Sequence, residues 1–434
     1  MNSLSHKIAA NTLAQVLGKM ASTFLGVVIT IMLTRYLGPS GFGTITFVLV
    51  FVTMFGTIAD WGLTLITVRE ASKNPKRERE IIGNVVVIRL ALAVIAAVLA
   101  VLSIHLLPYS QAVQALTSLA SLYLIALSLK TSFQIIFNVK LSMQNWAWSE
   151  FSANALTIVL LFWFLSRGGG LTEVVLAYLA GGFFAAGVAA VLAHRLLPLK
   201  LSLANQDTKA LLLESLPMGA ILVVFTIYNR IDIVILSAFS GQEAVGIYGA
   251  AYRILEVLVL GAAYFANAIL PILSKYAQND RERLKLMFRK SYVVLLFLGV
   301  GVAGVTFIFA PLGIAIIAGP EFAASVGALQ ILSLVLVVAY FNHLNGYTLI
   351  ALGKQWYSLA VAIVALVVNV VLNLIFIPIY SYNGAAVITF LTEGLIVIMS
   401  LILIKKELNV LPSLRDIPLV VKEIIKKHGK IFED

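Results

Sequence analysis

The sequence predicts an all-α polytopic membrane protein of about twelve transmembrane helices, and three observations predict it. Of its 434 residues, 61% are hydrophobic and only 12% are charged, against about a quarter charged in soluble domains. The mean hydropathy of +1.00 holds over the whole length and leaves little room for a soluble domain. The apolar runs are long and continuous. In lipid the backbone must bond internally, and long runs select helices over the short alternating strands of a barrel.

Crossing the hydrocarbon takes roughly 20 apolar residues. In the N-terminal half, runs of that kind fall at 12–34, 43–66, 82–107, 112–137, 147–166 and 171–194. Six more fall at 212–239, 245–273, 291–317, 323–350, 355–378 and 384–404. The first run follows Lys7, Asn11, Thr12 and Gln15 and lacks a short apolar core with a small-residue cleavage site, so it is expected to be a retained span. Gly38 to Gly43 links spans one and two, and the charged run Arg69 to Arg79 separates two and three. Pro108 to Ser110 breaks three from four, and Gly168 to Gly170 breaks five from six. Arg195 to Lys209 lies between spans six and seven, Gly241 to Gly246 between seven and eight, and Lys275 to Lys290 between eight and nine. The polar tail 405–434 cannot span. Asp416 and Pro418 open a stretch with Val420, Val421, Ile424 and Ile425 among lysines. That pattern fits either an amphipathic helix on anionic lipid or a solvated tail.

Charge sets the expected orientation. With the N-terminus cytoplasmic, 24 of the 31 lysines and arginines lie inside, only Arg35 and Arg167 lie outside, and Lys19, Arg89, Lys130, Arg230 and Arg253 lie within spans. This asymmetry predicts an even number of spans with both termini cytoplasmic. The net charge of +11 follows the same loops, so nucleic acid is not the expected partner.

The halves look related. Gly38 to Gly43 matches Gly241 to Gly246, Trp148 matches Trp356, and Gly170 matches Gly384, at slowly growing offsets. Two six-helix bundles inserted in the same sense give a pseudo-two-fold along the membrane normal and a central cavity. The expected lobes are 1–208 and 209–404, with 405–434 as a basic tail. Two like halves around a cavity are the architecture of alternating-access transport.

Ionisable groups inside a bilayer are costly and mark function or structural pairing. Lys19, Arg89 and Lys130 sit at similar depth and could form an inner basic ring, while Arg230 and Arg253 lie nearer the outer side. Asp232 is two residues from Arg230 and faces elsewhere, whereas Glu256 shares a helix face with Arg253, where a structural pair is equally expected. Asp60 could hold a coupling cation, pair with Arg69 or cap a helix. Glu393 is a candidate proton site, and His343 reads as a hydrogen-bonded core histidine. The sequence has no cysteine, which removes thiolate metal sites, disulfides and cysteine nucleophiles. It has no P-loop, HExxH pair, GxSxG or dinucleotide fingerprint, so the expectation is a transporter without catalytic residues, metal or cofactor.

Several stretches carry a family resemblance. Arg35-Tyr36-Leu37-Gly38-Pro39 with Gly41 and Gly43, Asp60-Trp61-Gly62-Leu63, and Arg69-Glu70 resemble the opening of polysaccharide repeat-unit flippases. Arg230-Ile231-Asp232, Gly246-Ile247-Tyr248, Ala251-Tyr252-Arg253, Glu256 and Pro271 to Ser274 resemble a later part. Phe322, Ser325, Asn369, Asn373 and Gly384-Ala385-Ala386 resemble the end. These flippases belong to the multidrug, oligosaccharidyl-lipid and polysaccharide exporter superfamily. The resemblance implies a V-shaped cavity between two rocking lobes. It also implies a substrate of oligosaccharide on a polyprenyl (pyro)phosphate carrier, moved from the cytoplasmic to the outer leaflet. Lys19, Arg35, Arg89, Lys130, Arg230 and Arg253 are then the basic residues expected to meet the substrate, with Asp60, Asp232, Glu256 and Glu393 as coupling or structural acids. Membrane lipid, and polymerases or glycosyltransferases, are the implied partners of a monomer in the cytoplasmic membrane. A cation-coupled multidrug exporter, a peptidoglycan-precursor flippase and a membrane glycosyltransferase or polymerase are the competing readings. The last is disfavoured by short loops.

Overall fold

The computed structural model describes residues 2–199, 201, 205–413, 417, 418 and 422, so the expectation for the tail falls largely outside the described residues. Among the described residues the chain is built of helices. In order they are α1 (Asn2–Asp60), α2 (Leu63–Lys73), α3 (Glu78–Leu106), α4 (Gln111–Ser121), α5 (Tyr123–Val139), α6 (Met143–Leu165) and α7 (Leu171–Leu196). Then follow α8 (Asn205–Asn279), α9 (Arg281–Ile317), a 3-10 turn (Pro320–Phe322), α10 (Ser325–Ala351) and α11 (Gln355–Leu408).

Three helices are too long for one crossing. At ~1.5 Å per residue, the 59 residues of α1 would reach roughly 90 Å, about three times the hydrocarbon thickness. Each is broken where the sequence places a link: α1 at Gly38, α8 at Gly241 and α11 at Ser381. Gly38 (φ 64°, ψ −177°) and Gly241 (φ 79°, ψ −179°) adopt nearly the same backbone conformation, one essentially reserved for glycine. Pro39 directly follows the first of them and suits the opening turn of a new helix. Ser381 (φ 51°, ψ −135°) takes a comparable turn without glycine's freedom. Nine helical segments among the described residues are long and apolar enough to cross a membrane, these broken ones included. The fourth expected span, 112–137, is divided at Leu122 into α4 and α5.

The apolar side chains point outward as well as inward. Val94, Ile95, Val98, Leu99 and Leu102 on α3, and Phe307, Ile308, Phe309 and Leu312 on α9, are exposed. Water would not tolerate such continuous apolar faces, whereas lipid tails match them. Helices approach through small residues. A Cβ on Gly18 would lie 2.3 Å from the Ala147 Cβ, and one on Gly182 would lie 2.7 Å from the Tyr123 ring. Hydroxyls turn back on their own helices, as Thr34 does to Thr30, Thr157 to Ala153 and Thr306 to Val302, so no donor is left facing lipid there.

The chain divides into two compact units, residues 1–234 and 235–434. The first contains a core in which Leu63, Ile82, Val85, Ile135, Phe137, Ala189 and Leu211 meet. The second contains a core of Ala262, Leu273, Leu284, Phe288, Leu295, Leu344 and Ile404. In the second core the Tyr292 and Phe341 rings stack at 4.1 Å.

Candidate functional site: polar clusters within the helical units

The first unit holds a cavity of about 190 Å³. Asp60, Thr64, Arg89, Ser128, Thr131 and Gln134 supply its polar wall, and Leu124 and Leu127 supply an apolar one. Local backbone chemistry brings the first two together. Trp61 (φ 44°) and Gly62 (φ 71°) end α1 and restart the chain as α2, so Asp60 and Thr64 bracket a tight corner. Thr64 Oγ1 donates to Asp60 Oδ1 at 2.8 Å. Arg89 comes from the middle of α3, donates to Thr64 Oγ1 at 2.9 Å and forms an ion pair with Asp60. Ser128 of α5 donates to the Arg89 carbonyl at 3.0 Å, tying the two helices at this level. The Arg89 side chain is 1% exposed and that of Asp60 is 31% exposed. Two guanidinium nitrogens, Nε and Nη1, are buried with no hydrogen-bond partner. Asp60 therefore pairs across helices with Arg89; Arg69 instead binds Glu70 at 3.0 Å and also pairs with Glu214.

A second cluster in this unit centres on Lys130 of α5. Its ammonium donates to Glu150 Oε1 at 2.5 Å and lies 5.2 Å from the centre of the Trp146 ring. Ser22 Oγ reaches Glu150 Oε2 at 3.5 Å, and Asn154 donates to Ser22 Oγ at 2.9 Å. Trp146, Glu150 and Asn154 recur every four residues, so one face of α6 carries all three. Sequence reasoning missed Glu150. It stands near the start of a span beside the exposed Trp148, where a carboxylate reads as a hydrated helix end. The signal available was its spacing from Trp146 and Asn154.

Lys19 and Arg35 are exposed on α1, and Arg35 lies just before the Gly38 break. Arg230 is half-buried, and the buried Asp232 accepts a hydrogen bond from the Ile233 amide at 2.8 Å; both fall in the first unit. Arg89 and Lys130 are thus each joined to a carboxylate within the first unit.

In the second unit Arg253 donates to Glu256 at 3.1 Å, the pairing that their i,i+3 spacing allows. Asn342 of α10 binds both the carboxylate and, at 3.0 Å, the backbone carbonyl of Glu393 on α11. Asn345 donates to Ser400 at 2.8 Å, Asn373 to Asn369 at 2.9 Å, and Asn369 to Thr392 at 3.2 Å. His343 bonds the Ala339 carbonyl at 2.9 Å. Among the described residues no group of three or more His, Cys, Asp or Glu side chains could hold a metal ion.

A helical, lipid-facing chain with ion pairs inside its units, and a polar cavity inside the first, defines a multi-pass membrane protein. Residues 8–277 match the family described as polysaccharide biosynthesis protein, and residues 217–375 match the MatE family. The first match covers more than half of the chain, and the protein belongs to the polysaccharide biosynthesis protein family. Two relatives come from Haloferax volcanii. A probable low-salt glycan biosynthesis flippase is 25% identical over 166 residues, covering 38% of this chain and 35% of that protein. A probable flippase is 28% identical over 195 residues, covering 43% of this chain and 40% of that protein. The alignments thus span well under half of these relatives' length. Among solved structures, a multidrug resistance MATE family transporter of the MOP superfamily in an inward-facing conformation superposes with a TM-score of 0.75 at 17% identity, covering 89% of this chain and 94% of that one. The lipid II flippase MurJ in an inward closed conformation gives 0.76 at 16% identity, covering 96% and 94%. At these identities the likeness is one of fold.

Proposed function

We propose that the protein is a flippase that moves oligosaccharide repeat units on a polyprenyl (pyro)phosphate carrier from the cytoplasmic to the outer leaflet, by alternating access of two six-helix lobes. The observation that carries this reading is Arg89. A guanidinium fixed inside a membrane helix bundle, at a cavity rimmed with hydroxyl and amide groups and with two of its nitrogens unspent, has the chemistry to replace the hydration of a lipid phosphate. Lys19, Lys130, Arg35, Arg230 and Arg253 are the further basic contacts along the path. Asp60 holds Arg89 in place, and Glu150 holds Lys130. Membership of the polysaccharide biosynthesis family and the names of the two Haloferax volcanii relatives, one a glycan biosynthesis flippase and the other a flippase, support this reading. Twelve spans, both termini cytoplasmic, a monomer and hand-over to a polymerase or glycosyltransferase complete the proposal.

The test is transfer of a fluorescent polyprenyl-pyrophosphate oligosaccharide across proteoliposomes containing the purified protein. Transfer above protein-free vesicles, reduced by Lys19→Ala or Arg230→Ala, supports the flippase. No transfer, with saturable binding of a cationic drug, supports multidrug export instead. The MatE match over 217–375 is the observation that favours this second reading.

A further inference from the structure

Beyond the break at Gly241, α8 runs through the span 245–273 with one face in the core of the second unit. Leu255, Ala262, Ala266, Ile269 and Leu273 are buried there, and three of them pack with Leu284, Phe288 and Leu344. Arg253, Glu256, Leu260, Tyr264 and Asn267 recur every three or four residues on the opposite face. Every polar side chain between Ile254 and Leu273 falls on this stripe, namely Glu256, Tyr264 and Asn267. Asn267 is exposed, Tyr264 is half-buried, and the Arg253 and Glu256 side chains are 38% and 27% exposed. At ~1.5 Å per residue, the stripe from Arg253 to Asn267 is roughly 21 Å long.

Lipid does not suit such a face. A carboxylate and an amide at hydrocarbon depth are costly unless they meet water or a polar partner. The surface of the same unit that matches lipid looks different, since α9 exposes Phe297, Val305, Ile308 and Leu312. Phosphate does not suit the stripe either. No lysine or arginine lies between Arg253 and Lys275, and the Glu256 carboxylate repels an anion. Sugar does suit it. A sugar hydroxyl both donates and accepts, the Asn267 amide offers both roles, and the Glu256 carboxylate accepts. Asn267 also donates to the Ala263 carbonyl at 2.8 Å, which fixes the orientation of its amide. The partly exposed Tyr264 ring offers an apolar surface to the C–H face of a pyranose, and its hydroxyl is buried without a hydrogen-bond partner.

We propose that Glu256, Tyr264 and Asn267 form a carbohydrate-recognition track on α8, which carries the oligosaccharide while the basic residues carry the phosphate. The track rests on the flippase reading and deepens it, and its test separates the two. The chain has no cysteine, so Asn267→Cys introduces a single thiol. In nanodiscs, with both faces open to reagent, a membrane-impermeant maleimide labels that thiol ~10-fold faster than the thiol of Ile308→Cys, because the reaction needs a thiolate in water. Leu260→Cys, which lies on the same stripe and removes no polar group, repeats the measurement. Polyprenyl-pyrophosphate oligosaccharide slows labelling at both stripe positions by a similar factor, and polyprenyl pyrophosphate without sugar leaves it unchanged. Labelling no faster than at position 308, or equal protection by both compounds, or protection by neither, overturns the track. Flipping by the cysteine-free parent is measured separately in proteoliposomes. Its absence counts against the flippase, and sugar-dependent protection or the lack of it still decides the track.

Discussion

Replacing Asp60 by Ala isolates the cost of leaving Arg89 without its counter-ion. The guanidinium is 1% exposed and already has two nitrogens without partners. Removing one member of a buried ion pair typically costs ~3–5 kcal/mol, because the remaining charge is left in a low-dielectric site. Asp60 is 31% exposed at the cavity, so water entering the vacated space offsets part of this, and ~2–3 kcal/mol is expected. At about 1 °C per kcal/mol for a chain of this size, the midpoint of thermal unfolding in detergent falls by roughly 2–3 °C. The double variant Asp60→Leu with Arg89→Met removes both charges and should recover most of that loss, since well-packed apolar replacements of a buried pair are often close to neutral. Fluorescence-detected thermal unfolding of the purified variants measures both. A single variant within 1 °C of the parent, or a double variant that falls as far as the single, refutes this account of Arg89.

Glu150→Ala should act in the same direction on Lys130, whose side chain is 9% exposed, and Glu150→Gln should be milder because its amide oxygen still accepts from the ammonium; the same unfolding measurement ranks them. Ser381→Gly should raise the midpoint, since a non-glycine residue at φ 51°, ψ −135° stores ~1 kcal/mol or more, and no gain would place the strain elsewhere. Gly18→Val should separate α1 from α6 at the cost of ~1–3 kcal/mol because its Cβ would meet Ala147 at 2.3 Å. Gly304→Ala, with nothing within 4 Å, should be neutral or stabilising by ~0.4–1 kcal/mol, and equal losses in these two glycine variants would remove the packing argument.

The helices were legible because lipid imposes one length and one polarity on every span. Gly38 and Gly241 could be located for a related reason: a link of a few residues needs a conformation that glycine alone reaches cheaply, and both sit in it. The Arg253–Glu256 pair was legible because helical periodicity alone brings it together. The other partnerships were not. Arg69 is nearer to Asp60 in sequence than Arg89 is, yet the corner at Trp61 and Gly62 turns α2 away and leaves Asp60 facing α3. Glu150 meets Lys130 only through the packing of α5 and α6, which no local periodicity encodes. Asn342 and Glu393 meet across two helices in the same way. A residue's depth in its span can be read from one dimension, but what stands opposite it cannot.

The breaks at Gly38 and Gly241 also bear on how the protein is made. Neither link carries a charged loop longer than a few residues, so little hydrophilic chain has to be pulled through the bilayer between the flanking spans. Each pair of spans is suited to leave the ribosome and enter the membrane together as one preassembled hairpin. A residue that straightened either glycine would create a rod far longer than the bilayer is thick, and its first consequence would be a wrongly threaded chain for quality control to remove, before any question of transport arose.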